Sequence, residues 1–216
     1  LSGVIGAGNG GGGNNAGGNP GAPAASSSPD GEGNSAQPAS DICSLKDGSQ
    51  SIPTSGPAAD WKTDVYFKYP TSDEFGPTQN PKSSDWGCFA HSPTGALFAA
   101  ANFFRGTAGS DYARFVKSAS VDNAARSSWL DQQDISQHQQ SAGRVAQIAG
   151  FQFQSVSADA AVVALGFQQN DVSASMKISL VWDSSSNNWK ADFATSDLDP
   201  TQVDLSGYTE WGASNG

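Results

Sequence analysis

Two histidines, His91 and His138, are the side chains of this sequence best suited to move a proton near neutral pH. A Ser–His–Asp relay can be drawn with Ser92 or Ser141 as its nucleophile. Neither serine lies in the G-x-S-x-G elbow that would expose it on a sharp strand-to-helix turn. His91 directly precedes Ser92, whose hydroxyl suits a helix N-cap, so His91 is expected at a helix entrance. His138 stands in the polar run QQDISQHQQ and is expected in solvent. Asp159 and Asp171 fall at predicted strand ends, where aspartate forms turns. No catalytic residue is assigned.

The other patterns with chemical content are glycines, cysteines and acids. Residues 6–11 read GAGNGG and satisfy the letter of G-x-G-x-x-G, with Asp30 at a suitable distance. A dinucleotide site also needs a strand before the glycines and a helix after them, whose free N–H groups hold the pyrophosphate. The glycines instead run into GGNNAGGNPGAPAASSSPDGEGNSAQPAS, which cannot start a helix. The acidic run DLDPTQVD lacks the sixth-position glycine and twelfth-position glutamate of a calcium loop. Cys43 and Cys88 have neither CxxC spacing nor a histidine in a ligand pattern. No cofactor and no metal ion are therefore expected. The two cysteines are expected to pair as a disulfide in an exported protein. Closing a loop of roughly 46 residues constrains the unfolded chain by about 4 kcal/mol on the entropy model.

These residues need elements to position them. In HSPTGALFAAANFFRG, Ser92 caps and Pro93 fits the first turn of a helix. Leu97, Ala100, Ala101 and Phe104 then share one face, and Gly106 is expected to end the helix. A second helix starts at Ser110 and carries Tyr112, Phe115, Val116 and Ala119. A third, polar helix is predicted from about Asp122 to Gly143, with Trp129 and Leu130 on one side. The period then changes to two. Phe151 and Phe153 share a face, as do Ala161, Val163, Leu165 and Phe167. So do Ala174, Met176, Ile178, Leu180 and Trp182, and finally Trp189, Ala191 and Phe193. Ala164 and Gly166 point the other way. The order predicts an α+β domain, with about three N-terminal helices on one face of a four-stranded antiparallel sheet.

Composition sets the boundaries. Of 216 residues, 1–57 are rich in Gly, Pro and Ser and read as a flexible tether, because so little apolar surface cannot offset its ordering entropy. Residues 58–216 read as one domain. The single methionine, Met176, is internal, and the opening LSGVIG is read as the end of a removed membrane anchor or signal peptide, the alternative being an arbitrary start. The net charge of −10 repels phosphate backbones, so nucleic-acid binding is not expected. Trp86, His91, Trp182, Trp189 and Trp211 are the candidates for a pocket or a partner contact. Trp211, beyond the last predicted strand, is expected to dock on the domain and pin the tail.

The helix-then-meander order resembles the cone-shaped fold shared by nuclear transport factor 2, ketosteroid isomerase and the cystatin-like group. Its enzymes carry a titratable group in the pocket, whereas the inward positions predicted here are hydrocarbon or aromatic. The segment GCFAHSPTGALFAAANFF resembles a G-F-A-x-[ST]-P-x-G-A-x-x-A-A pattern found in a family of exported or membrane-anchored actinobacterial proteins. Gly87, Phe89, Ala90, Ser92, Pro93, Gly95, Ala96, Ala99 and Ala100 match it, with Cys88 inserted. The closing DLSGYTEWG is also similar, and the likeness covers about residues 60–212. It implies a cell-surface or extracellular protein associated with conjugative elements, similar to type IV secretion assembly factors. Its partners would be other envelope proteins, with the membrane reached only through an upstream anchor. It carries over no catalytic residue. The alternative is a secreted module holding a small apolar ligand in the cone pocket.

Overall fold

A helix with hydrocarbon on every side must be enclosed, and α1 (Pro93–Ala108) is. Every residue from Pro93 to Phe104 is buried. The Ser92 hydroxyl accepts from the Gly95 amide at 3.0 Å and caps the helix, as its sequence predicts. Gly106 does not end it. The helix runs on to Ala108 and is capped by Gly109, because Gly106 makes room for a neighbour instead. A Cβ at Gly106 would lie 2.2 Å from the ring of Phe115. That ring sits on α2 (Tyr112–Ala119), whose N-cap position is Asp111 instead of Ser110 and carries no side-chain capping bond. A third helix, α3 (Ala124–Asp131), is capped by the Asn123 side chain accepting from the Arg126 amide at 2.9 Å. The predicted continuation of α3 to Gly143 falls largely outside the described residues.

The computed structural model describes residues 43, 45–63, 67–78, 87–133, 147–169 and 171–213. All of them belong to one unit spanning 39–216. Their strands are β1 (Asp60–Thr63), β2 (Lys68–Thr71), β3 (Gln147–Val156), β4 (Ala160–Gln169), β5 (Val172–Asp183), β6 (Asn188–Ala191), β7 (Asp197–Gln202) and β8 (Thr209–Glu210). β1 and β2 form a separate two-stranded sheet. The main sheet is six-stranded and antiparallel in the order β6-β5-β4-β3-β8, with β7 also on β5. β6 pairs with Leu180–Asp183 and β7 with Ala174–Lys177, so the two share one edge of β5.

The four-stranded cone expected from the sequence is therefore wrong. The chain carries a larger, mostly stranded architecture, and the helices do not precede a simple meander. The reason lies in the strands that periodicity did not reveal. DWKT, DLDPTQ and TE have no alternating apolar face. They join by backbone pairing at edges, which leaves no period-two signature. Where a face is buried the alternation is visible: Ala161, Val163, Leu165, Ile178 and Leu180 lie in the core with Leu97, Phe98 and Val116.

The second face of the sheet is also covered in part. After β7 the chain makes a short 3-10 turn (Leu205–Gly207) across that face. Leu205 lies 2.5 Å from where a Cβ at Gly166 would stand, and Tyr208 donates its hydroxyl to Ser175 Oγ at 2.8 Å. The crossing ends in β8 beside Gly150 and Phe151 of β3, and Trp211 turns in over the edge. Trp211 docks among Trp61, Phe98 and Phe151, at centroid distances of 5.3, 5.3 and 5.9 Å.

Candidate functional site

The turn before α1 brings three of the candidate residues together. The His91 ring stacks on Trp182 with centroids 4.0 Å apart and planes 11° from parallel. Trp189 meets the same imidazole edge-on at 5.9 Å. Trp182 and Trp189 are direct partners across the β5–β6 pair, so the sheet presents both rings to one histidine. The backbone at His91 is held from both sides. Trp189 Nε1 donates to the Ala90 carbonyl at 2.9 Å, and Gln50 Nε2 donates to the His91 carbonyl at 2.8 Å.

The imidazole nitrogens face acceptors. Nε2 lies 2.9 Å from the Ala158 carbonyl and 2.9 Å from Asp159 Oδ1, so the proton belongs on Nε2. Nδ1 faces Asp47 Oδ1 at 3.7 Å. Asp47 and Asp159 are largely in solvent, at 77 % and 72 % exposure, whereas His91 is 23 % exposed. The site is thus an aromatic stack with a carboxylate on either side, open at its rim.

A hydrolytic relay needs a hydroxyl beside the imidazole. The Ser92 hydroxyl is fully buried and occupied as the cap of α1. His138 and Ser141 lie outside the described residues. Among the described residues, no group of three or more His, Cys, Asp or Glu side chains is arranged to hold a metal ion.

The disulfide forms beside this stack, between Cys43 and Cys88. The β5–β6 turn grips both halves of it. Asn187 Nδ2 donates to the Cys43 carbonyl at 2.7 Å, and Asn188 Oδ1 accepts from the Phe89 amide at 3.2 Å. Gly87, at φ +132°, leaves room for the Asn188 amide, which a Cβ would meet at 2.5 Å. The turn is organised by Asp183. Hydrogen bonds from the Ser185 hydroxyl, then from Ser186 and the Ser185 amide, hold its carboxyl below the usual range. Partial burial opposes them and the charge of Lys190 helps.

The remaining candidates lie elsewhere. Trp211 is buried away from the stack, its Nε1 donating to the Pro57 carbonyl at 2.9 Å. Trp86 lies outside the described residues. A separate cleft of about 540 Å³ opens between the start of β3, the end of β4 and residues 210–213. Gln147, Gln168 and Glu210 line it, so it does not offer the apolar walls that a hydrocarbon ligand needs. Sequence reasoning missed Asp47 and Gln50, which belong to the stretch assigned to the tether. They reach His91 from over 40 residues away, and no local pattern announces such a contact.

A family model described as "Domain of unknown function (DUF8175)" matches residues 22–210. The chain belongs to the DUF8175 family. The matched region contains the whole His91 site, both cysteines and every strand among the described residues. No curated protein and no solved structure matches this DUF8175 chain. Among its described residues, no helix is long and apolar enough to cross a membrane.

Proposed function

We propose that this DUF8175 domain is a non-enzymatic, exported protein that acts by protein–protein contact in a cell-envelope assembly serving conjugation or type IV secretion. The observation that carries the reading is the partly exposed His91–Trp182 stack between the exposed carboxylates of Asp47 and Asp159. Tryptophan is the side chain most enriched at interface hot spots, and a charged rim sets partner and orientation. With a net charge of −10 on the chain, a basic partner surface fits best. The Cys43–Cys88 disulfide supports export, since reducing cytosol does not keep such bonds.

The test is capture with crosslinking from envelope fractions, comparing the wild type with Trp182→Ala and with Asp47→Asn/Asp159→Asn. A partner held by this face is lost at least tenfold in each variant, a difference of about 1.4 kcal/mol. Equal capture by all three proteins would refute the assignment of this face.

A further inference from the structure

On either side of the disulfide the chain is held in very different ways. Residues 45–57 run from the entrance of α1, at His91 and Ser92, to Trp211 with most side chains in solvent, and Ile52 is 49 % exposed. Among the described residues, this arm makes no backbone–backbone hydrogen bond to a strand or helix. Its ties are the Gln50 donation to His91, the Asp47 contact with His91, the Trp211 donation to Pro57, and close approaches of Gly48 to Ser92 and Gly56 to Trp211. Bonds of this kind, loaded from one end, break one after another. Cys88 stands in the opposite situation. Phe89 and Ala90 beside it are buried, the β5–β6 turn grips both cysteine segments, and α1 follows at once.

We propose that the Cys43–Cys88 bond is a bypass for mechanical tension. A pull arriving along the chain before Cys43 crosses the sulfur–sulfur bond to Cys88 and enters the β5–β6 turn and α1. The arm and the β1–β2 hairpin, lying within the closed loop, stay unloaded. Asp47 and Gln50 therefore keep their places at His91 while the domain is pulled, and the contact face stays assembled. This rests on the reading that the domain works at the end of a tether, but its test needs no partner.

The experiment is single-molecule force spectroscopy on the full chain, held at Leu1 and Gly216. The oxidised wild type is expected to yield in one rupture with no earlier step. Cys43→Ser/Cys88→Ser is expected to show an early low-force extension of up to about 45 Å, as the arm straightens before the main rupture. An early step in the oxidised wild type, or none in a folded variant, overturns the proposal. Attaching the handle at exposed Ile52 of the oxidised wild type, through a bioorthogonal side chain, loads the arm directly and does not depend on the variant folding. A low-force step is expected there, and a first rupture at the force seen from Leu1 overturns the bypass. Equal partner capture by the wild type and the face variants, with an intact bypass, would instead count against the contact face alone.

Discussion

His91 is the residue on which most of the candidate site converges, and its removal has a readable signature. His91→Ala uncovers one face of Trp182 and leaves Asp159 without its imidazole partner. The tryptophan emission is expected to shift to the red, with a loss of about 1–2 kcal/mol in unfolding free energy. Asp183 is a second test, at acid pH. Its carboxyl is held below the ordinary value in the folded chain, so its contribution is present above the unfolded pKa and is lost as pH falls through the lower folded one. Asp183→Asn should flatten the stability profile below about pH 4, and an unchanged acid limb in urea titrations would contradict this. At this scale the sequence was partly legible. Ser92 was readable as a cap because its chemistry acts on the next residues in the chain. Asp47 and Asp159 were not readable as partners of His91, because a contact over 44 or 68 positions leaves no mark on its neighbours.

At the scale of elements, α1 shows why a residue type can mislead. Glycine near a helix end usually marks the stop, yet Gly106 is there to admit Phe115. Gly106→Ala is therefore expected to destabilise by about 1–3 kcal/mol through overpacking, although alanine is the better helix former. Calorimetry reads this as a fall of roughly 2–4 °C per kcal/mol. Ser92→Ala removes the cap and is expected to cost about 0.5–2 kcal/mol. The buried strands β4 and β5 were legible from alternation alone. β1, β7 and β8 were not, because edge pairing uses backbone groups that every residue owns. Gly150 and Gly166 were the available signal. Strand glycines often mark the close approach of another segment, here Tyr208 and Leu205.

At the scale of the whole molecule, charge and boundary matter. A chain with 21 acids against 11 bases repels itself, and salt screens that repulsion. The melting temperature is expected to rise between low salt and about 0.5 M sodium chloride, and a fall would mean that attractive pairs dominate. Composition located the aromatic domain but placed its start at residue 58. The arm from 45 to 57 belongs with the folded part through contacts made by Gly48, Gln50, Gly56 and Pro57. Such backbone-led docking needs no hydrophobic side chains, so a composition rule overlooks it.

The position of Trp211 has a consequence for biogenesis. It fills the space between Trp61, Phe98 and Phe151, yet the ribosome makes it after all three. β3 likewise waits for its outer neighbour β8 until nearly 60 further residues have been added. Nascent chains lacking residues 205–216 are therefore expected to remain protease-sensitive. Completion of this core is thus tied to the emergence of Trp211, more than 50 residues after Phe151 has been made.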